Sequence, residues 1–78
     1  MDPKELLEYI ARNLVDDPDG VSVTQAEADG RTILRLSVAG DDVGKVIGRG
    51  GRTVKAIRDV MRAAGTKDGR VTVVEIAG

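Results

Sequence analysis

At 78 residues the chain has room for one small domain, with a core just large enough to fold without covalent staples. It contains no Cys and no His, which excludes disulfides, thiolate chemistry, imidazole acid–base catalysis and ordinary zinc sites. Net charge is −1, the apolar runs are too short for a transmembrane helix, and the N-terminus lacks a basic-then-apolar signal pattern, so a cytoplasmic location is expected.

The first element predicted is a helix. Asp2-Pro3-Lys4-Glu5 supplies an N-cap, a proline in the first turn and a Glu three residues after the cap. Leu6, Leu7, Ile10 and Leu14 then recur at helical spacing to about Val15. Tyr9 on this helix is expected to be partly buried. Asp16-Asp17-Pro18-Asp19-Gly20 stops the helix and turns the chain. A strand is predicted from Val21 to about Ala28, and Asp29-Gly30 is the dipeptide that a tight primed hairpin turn requires. On the return strand Thr32, Leu34, Leu36 and Val38 alternate inward while Arg35 and Ser37 face away.

After Gly40, Asp41-Asp42 places negative charge at the start of a short helix, Asp42 to Ile47, which the glycines that follow bring to an end. A longer helix is predicted from about Gly51 to Ala64, then a polar loop from Gly65 to Gly69, and a last strand from Val71 to Ile76. The order is α-β-β-α-α-β, without internal repeat or linker.

Function is most legible in residues 46–58. Gly48, Gly50 and Gly51 lie between the apolar pair Val46-Ile47 and an amphipathic helix. Around them stand Lys45, Arg49, Arg52, Lys55 and Arg58. A loop with few Cβ atoms lets another backbone approach closely, and a helix N-terminus offers N–H groups and a positive dipole end to an anion. Between Lys45 and Arg62 there are six bases and one acid, Asp59, a local charge of +5; the remaining six bases and twelve acids give −6. Such segregation beside a glycine loop favours an anion-binding face. The stretch reads as a clamp for a phosphate backbone.

At about 100° per residue the longer helix shows three faces. Val54, Ile57, Met61 and Ala64 form a core stripe. Arg52, Lys55, Arg58 and Arg62 form a basic flank continuous with the loop. Ala56, Val60 and Ala63 form a small apolar stripe, which is a widened core edge, a run of helix-favouring small residues, or a close contact with another subunit.

Other glycine motifs fit less well. A P-loop ending at Gly51-Arg52-Thr53 would need Gly at position 46, which is Val, and Lys at position 52. A dinucleotide fingerprint beginning Gly48-x-Gly50 would need Gly or Ala at position 53, which is Thr. A simple helix–helix turn with Gly48 as C-cap stays open. A DNA-reading helix-turn-helix suits neither the three glycines nor the flanking strands.

Val46-Ile47-Gly48-Arg49-Gly50-Gly51-Arg52-Thr53-Val54-Lys55-Ala56-Ile57 resembles the K-homology (KH) signature V-I-G-x-x-G-x-x-I-K-x-I, with Val54 at the usual Ile. The element order resembles the prokaryotic type II arrangement over essentially the whole chain, residues 1–78 as one KH domain. The resemblance implies an α+β fold. Its mixed sheet has three strands: a hairpin pairs antiparallel, and the last strand runs parallel to the second. Three helices cover one face. It also implies a small bacterial stand-alone RNA-binding protein, forming homodimers or pairing with a larger KH-containing partner.

Position by position, the resemblance makes Gly48-Arg49-Gly50-Gly51 the GXXG loop that clamps the backbone of single-stranded RNA. Val46 and Ile47 anchor the short helix and contribute to an apolar floor for bases; Lys45, Arg52 and Lys55 extend the positive edge. Gly50 stands where a polar or basic residue is common, which removes a phosphate contact and loosens the loop. With no Phe or Trp, the chain lacks the rings that stacking-based RNA modules need. No cofactor or metal is expected, and no nucleophile–base set suggests an enzyme; Asp41-Asp42 is read as a helix cap rather than a Mg²⁺ site. An assembly adaptor acting through Ala56, Val60 and Ala63 is the rival reading.

Overall fold

The computed structural model describes residues 2–67, 69 and 71–77, with Lys67 for its backbone only. Helix α1, Pro3–Leu14, begins as its residues dictate: the Asp2 carboxylate accepts the Glu5 N–H at 2.8 Å. Strands β1 (Ser22–Ala28) and β2 (Arg31–Ser37) form an antiparallel hairpin in register from Ser22↔Ser37 to Ala28↔Arg31. Asp29 (φ +52°) and Gly30 (φ +75°) are both left-handed, the conformation a two-residue primed turn demands. Helices α2 (Val43–Ile47) and α3 (Arg52–Lys67) then carry the chain over to β3 (Val71–Ala77). That strand runs parallel to β2, from Arg31↔Val71 to Ser37↔Ala77. A parallel pair cannot be closed by a tight turn, so the two helices also serve as the crossover.

The sheet order β1-β2-β3 puts β2 in the centre. Buried strand residues fall on one face only: Val23 on β1, Thr32, Leu34 and Leu36 on β2, Thr72 and Val74 on β3. Leu7 and Ala11 of α1, Val46 of α2, and Ile57 and Met61 of α3 pack on that face. This is the α+β architecture expected, a three-stranded mixed sheet with three helices on one face.

Several details depart from the sequence expectations. Leu14 is 37% exposed and Ala11 takes its core place, because α1 ends at Leu14 and Val15 turns inward in extended conformation. Tyr9 is 59% exposed, more open than its helical position suggested. Helix α3 extends three residues beyond Ala64, so Gly65 and Thr66 are helical and not loop. Gly65 is buried, and the Thr66 hydroxyl donates back to the Arg62 carbonyl at 2.9 Å. One helical glycine costs only about 1 kcal/mol, which packing readily offsets. Of the expected loop, Gly69 takes φ +70° and Asp68 lies outside the described residues.

Helix α2 starts at Val43, after a single 3-10 turn at Gly40–Asp42, and Asp42 makes no side-chain cap to it. The carboxylate instead turns toward the α1–β1 connection, where it accepts the N–H groups of Asp16 (3.2 Å) and Asp17 (3.1 Å). Asp42 is 2% exposed.

Candidate nucleic-acid interface

Four residues, Gly48 to Gly51, join α2 to α3. Gly48 ends α2 with φ +76° and ψ 169°, its N–H bonded to the Gly44 carbonyl at 2.8 Å. A Cβ at this position would lie 2.2 Å from Thr53 Oγ1 and 2.9 Å from the Thr53 backbone nitrogen. Both the backbone angle and the packing therefore demand glycine. The Gly51 N–H returns to the Gly48 carbonyl at 3.1 Å, closing one tight turn over Arg49–Gly51. Gly50 (φ +65°) and Gly51 (φ +77°) are left-handed with open space beside them. The glycine at position 50 thus suits the turn's geometry, whereas the sequence reading saw there a lost contact and a looser loop.

The turn presents Arg49 and Gly50 to solvent, with Arg52 exposed on the first turn of α3. Among the described residues, no carboxylate comes within 4.0 Å of Arg49, Arg52 or Arg58. The other bases are engaged. Lys45 Nζ bonds the Asp16 carboxylate and lies 4.0 Å from Asp42 Oδ1. That hydrogen bond with Asp16, together with the Asp16 and Asp42 charges, raises the Lys45 pKa above its ordinary 10.5. Lys55 Nζ lies 3.2 Å from Asp59 Oδ2, and Arg62 lies 3.9 Å from Asp59 Oδ1. The positive flank is thus sorted into paired and unpaired members, a distinction that spacing in the sequence does not reveal.

The apolar residues divide as well. Val46 is 0% exposed, so it anchors α2 in the core and presents no surface to a ligand. Any floor beside the loop falls to Ile47, which is half-buried. Val54 and Ile57 are buried beneath α3. Ala56, Val60 and Ala63 are exposed, Val60 at 47%, which rules out the widened-core-edge reading of that stripe.

Beyond the loop, a cleft of about 200 Å³ runs between α3 and the edge strand β3, lined by Arg58, Arg62 and Val71 to Val74. Sequence reasoning placed Arg58 in the basic flank but gave β3 no part in the site. The wall forms because the parallel crossover lays β3 alongside α3, a relationship carried by element order and not by any local motif.

The matched family model is KhpA/KhpB, KH domain, over residues 4–76. RNA-binding protein KhpA of Clostridium acetobutylicum is 52% identical over 73 residues, 94% of this chain and 97% of that protein. The Clostridium perfringens protein of the same name is 49% identical over the same shares. The Bacillus subtilis one is 45% identical over 94% of this chain and 90% of its own length. Among solved structures, Era of Aquifex aeolicus shares the fold at TM-score 0.64 and 20% identity, covering 95% of this chain and 29% of that one. Loop geometry, strand order and these likenesses agree: the chain belongs to the KhpA/KhpB KH-domain family.

Proposed function

We propose that this chain is a single, non-catalytic KH module of the cytoplasm that binds single-stranded RNA, its Gly48–Gly51 loop clamping the sugar-phosphate backbone. The observation that carries the reading is the state of Arg49 and Arg52. Both stand exposed beside a turn with no Cβ at three of its four positions, and among the described residues neither is neutralised by a carboxylate. Phosphates can approach the backbone there and meet two free guanidinium groups. Lys45 and Lys55, though paired, extend the positive rim; Ile47 supplies apolar floor, and Val46 holds α2 in place. The name RNA-binding protein carried by the relatives points the same way.

Replacing Arg49 and Gly50 together by Asp sets two negative charges against the phosphates without touching the core. RNA affinity should fall at least about tenfold, the scale set by losing one charged hydrogen bond, while the melting temperature falls by only about 4–8 °C, from roughly 1 kcal/mol of strain for an Asp at the left-handed Gly50 position. Retained affinity means the loop is not the site. With three to five phosphates neutralised, log affinity should fall against log salt with a slope of roughly −2 to −3.5, at about 0.7 per contact on single strands.

A second reading concerns assembly. Ala56, Val60 and Ala63 form an exposed stripe of small residues on which two helices can approach closely. We propose it as the contact of a homodimer or of a heterodimer with a larger KH-containing protein of the KhpB kind. Joining two weak RNA modules raises avidity through effective concentration, and an RNA chaperone or post-transcriptional regulator would gain from it.

A further inference from the structure

Among the described bases around the glycine turn, Lys45 alone is held by an acid from a distant segment. It stands on the last turn of α2, three residues before Gly48, about 4.5 Å along the helix at 1.5 Å per residue. Its ammonium is nevertheless drawn toward the start of α2, the end away from the turn: it bonds the Asp16 carboxylate and lies 4.0 Å from Asp42 Oδ1. The two acids differ in kind. Asp42 is buried and committed to the N–H groups of Asp16 and Asp17. The Asp16 side chain is 80% exposed, and among the described residues its carboxylate makes no other hydrogen bond or ion pair. Because Asp42 fastens the backbone on both sides of that carboxylate, Asp16 is kept beside Lys45.

A carboxylate offers an ammonium what a phosphate oxygen offers, a negative charge and open lone pairs. A phosphate that approaches Lys45 therefore meets Asp16 as a like charge, and the two anions cannot share the cation without repelling each other. We propose that Asp16 competes with RNA for Lys45: its carboxylate is a built-in stand-in for phosphate that latches the ammonium back in the free protein and yields it to the strand held at Gly48–Gly51. Arg49 and Arg52 have no carboxylate to give up and engage the strand directly, whereas Lys45 joins the clamp by exchanging one anion for another. A competitor tethered to the fold acts at a fixed effective concentration, so it weakens every encounter alike and cannot be diluted away. The inference rests on the loop reading above, because the strand must first be held at the glycine turn.

The test is a double-mutant cycle read by fluorescence anisotropy with a labelled uridine tract at low salt. Asp16→Asn keeps the shape and removes the charge, and should raise affinity about two- to fivefold, the scale of an exposed ion pair. In the Lys45→Met background the same change should alter affinity little, because no ammonium is left to release. Asp17→Asn, one residue along and with no cation within 4.0 Å among the described residues, should bind like wild type. The gain from Asp16→Asn should fade as added salt screens the pair. Unchanged affinity in Asp16→Asn overturns the inference. So does an equal gain in the Lys45→Met background, or an equal gain from Asp17→Asn, since either marks general repulsion between RNA and the acidic connection. The Arg49→Asp, Gly50→Asp double variant separates the two levels: if it binds like wild type the loop reading falls and the latch with it, and if it loses the tract while Asp16→Asn binds no better than wild type, only the latch falls.

Discussion

The Asp42 carboxylate accepts the backbone N–H of Asp16 at 3.2 Å, across 26 positions of sequence, and the N–H of Asp17 at 3.1 Å. This one side chain fastens the α1–β1 connection to the start of α2, the helix that leads into the glycine turn. A buried carboxylate with two charge-assisted bonds is a structural tie, and removing it strands two donors. Asp42→Ala should cost about 2–4 kcal/mol, from one to two lost charged hydrogen bonds. For a chain of this size that lowers the melting temperature by roughly 10–25 °C. Thermal unfolding followed by circular dichroism measures it, and a loss under about 1 kcal/mol would show that the tie contributes little.

Gly48 and Thr53 set the turn. Gly48→Ala adds a Cβ at 2.2 Å from Thr53 Oγ1 and forces a left-handed backbone on a residue that resists it. A loss of roughly 1–3 kcal/mol is expected from the backbone alone. Adding Thr53→Ala should recover only part, because the new Cβ still meets the Thr53 backbone nitrogen at 2.9 Å. Urea denaturation of the two variants gives the comparison; complete rescue by the second change would assign the whole cost to the hydroxyl.

Asp59 is the one acid within the basic stretch and holds Lys55 at 3.2 Å and Arg62 at 3.9 Å. Exposed pairs of this kind contribute only about 0.3–0.5 kcal/mol to stability, so Asp59→Asn should leave the melt almost unmoved. RNA affinity at low salt should rise several-fold, and the salt slope should steepen by about 0.7 for each cation that reaches a phosphate. An unchanged slope would show that neither Lys55 nor Arg62 faces the nucleic acid.

The pairing of Lys45 with Asp16 has a definite pH signature. Its folded-state pKa lies above 10.5, chiefly through the hydrogen bond with Asp16. A raised pKa in a cation stabilises the fold fully below the unfolded value, and that contribution disappears as pH climbs through the folded one. Melting temperature in wild type should thus fall more steeply above pH 10.5 than in Lys45→Met, while near neutral pH Lys45→Met is the less stable of the two. The effect is small because the pair is exposed to solvent.

Val60 tests the assembly stripe. It is 47% exposed on α3 between Ala56 and Ala63, and a Glu there brings charge to an apolar helix contact without entering the core. Sedimentation of Val60→Glu should show a lower mass than wild type at the same concentration, with RNA affinity falling through lost avidity. The same mass in both would remove this face from consideration.

The order of elements, the Asp2 cap, the Asp29-Gly30 hairpin turn and the inward alternation of Thr32, Leu34 and Leu36 were legible in the sequence because each rests on residues within a few positions of one another. So was the glycine turn, since φ above zero at Gly48, Gly50 and Gly51 is a local demand of the backbone. The end of α3 was not, because Gly65 resembles a helix stop until packing buries it.

Charge shows the division most clearly. Composition and spacing fixed how many bases surround the turn and on which helical flank they lie. Only the tertiary structure decided which of them are already paired: Lys45 meets Asp16 because Asp42 draws the α1–β1 connection over α2, whereas Arg49, Arg52 and Arg58 face open solvent. It also decided that Val46 is core, that the Ala56–Val60–Ala63 stripe is surface, and that β3 walls a cleft against Arg58. Local backbone geometry is encoded in neighbouring residues, but an ion pair or a cleft belongs to segments distant in the chain and exists only once the crossover brings them together.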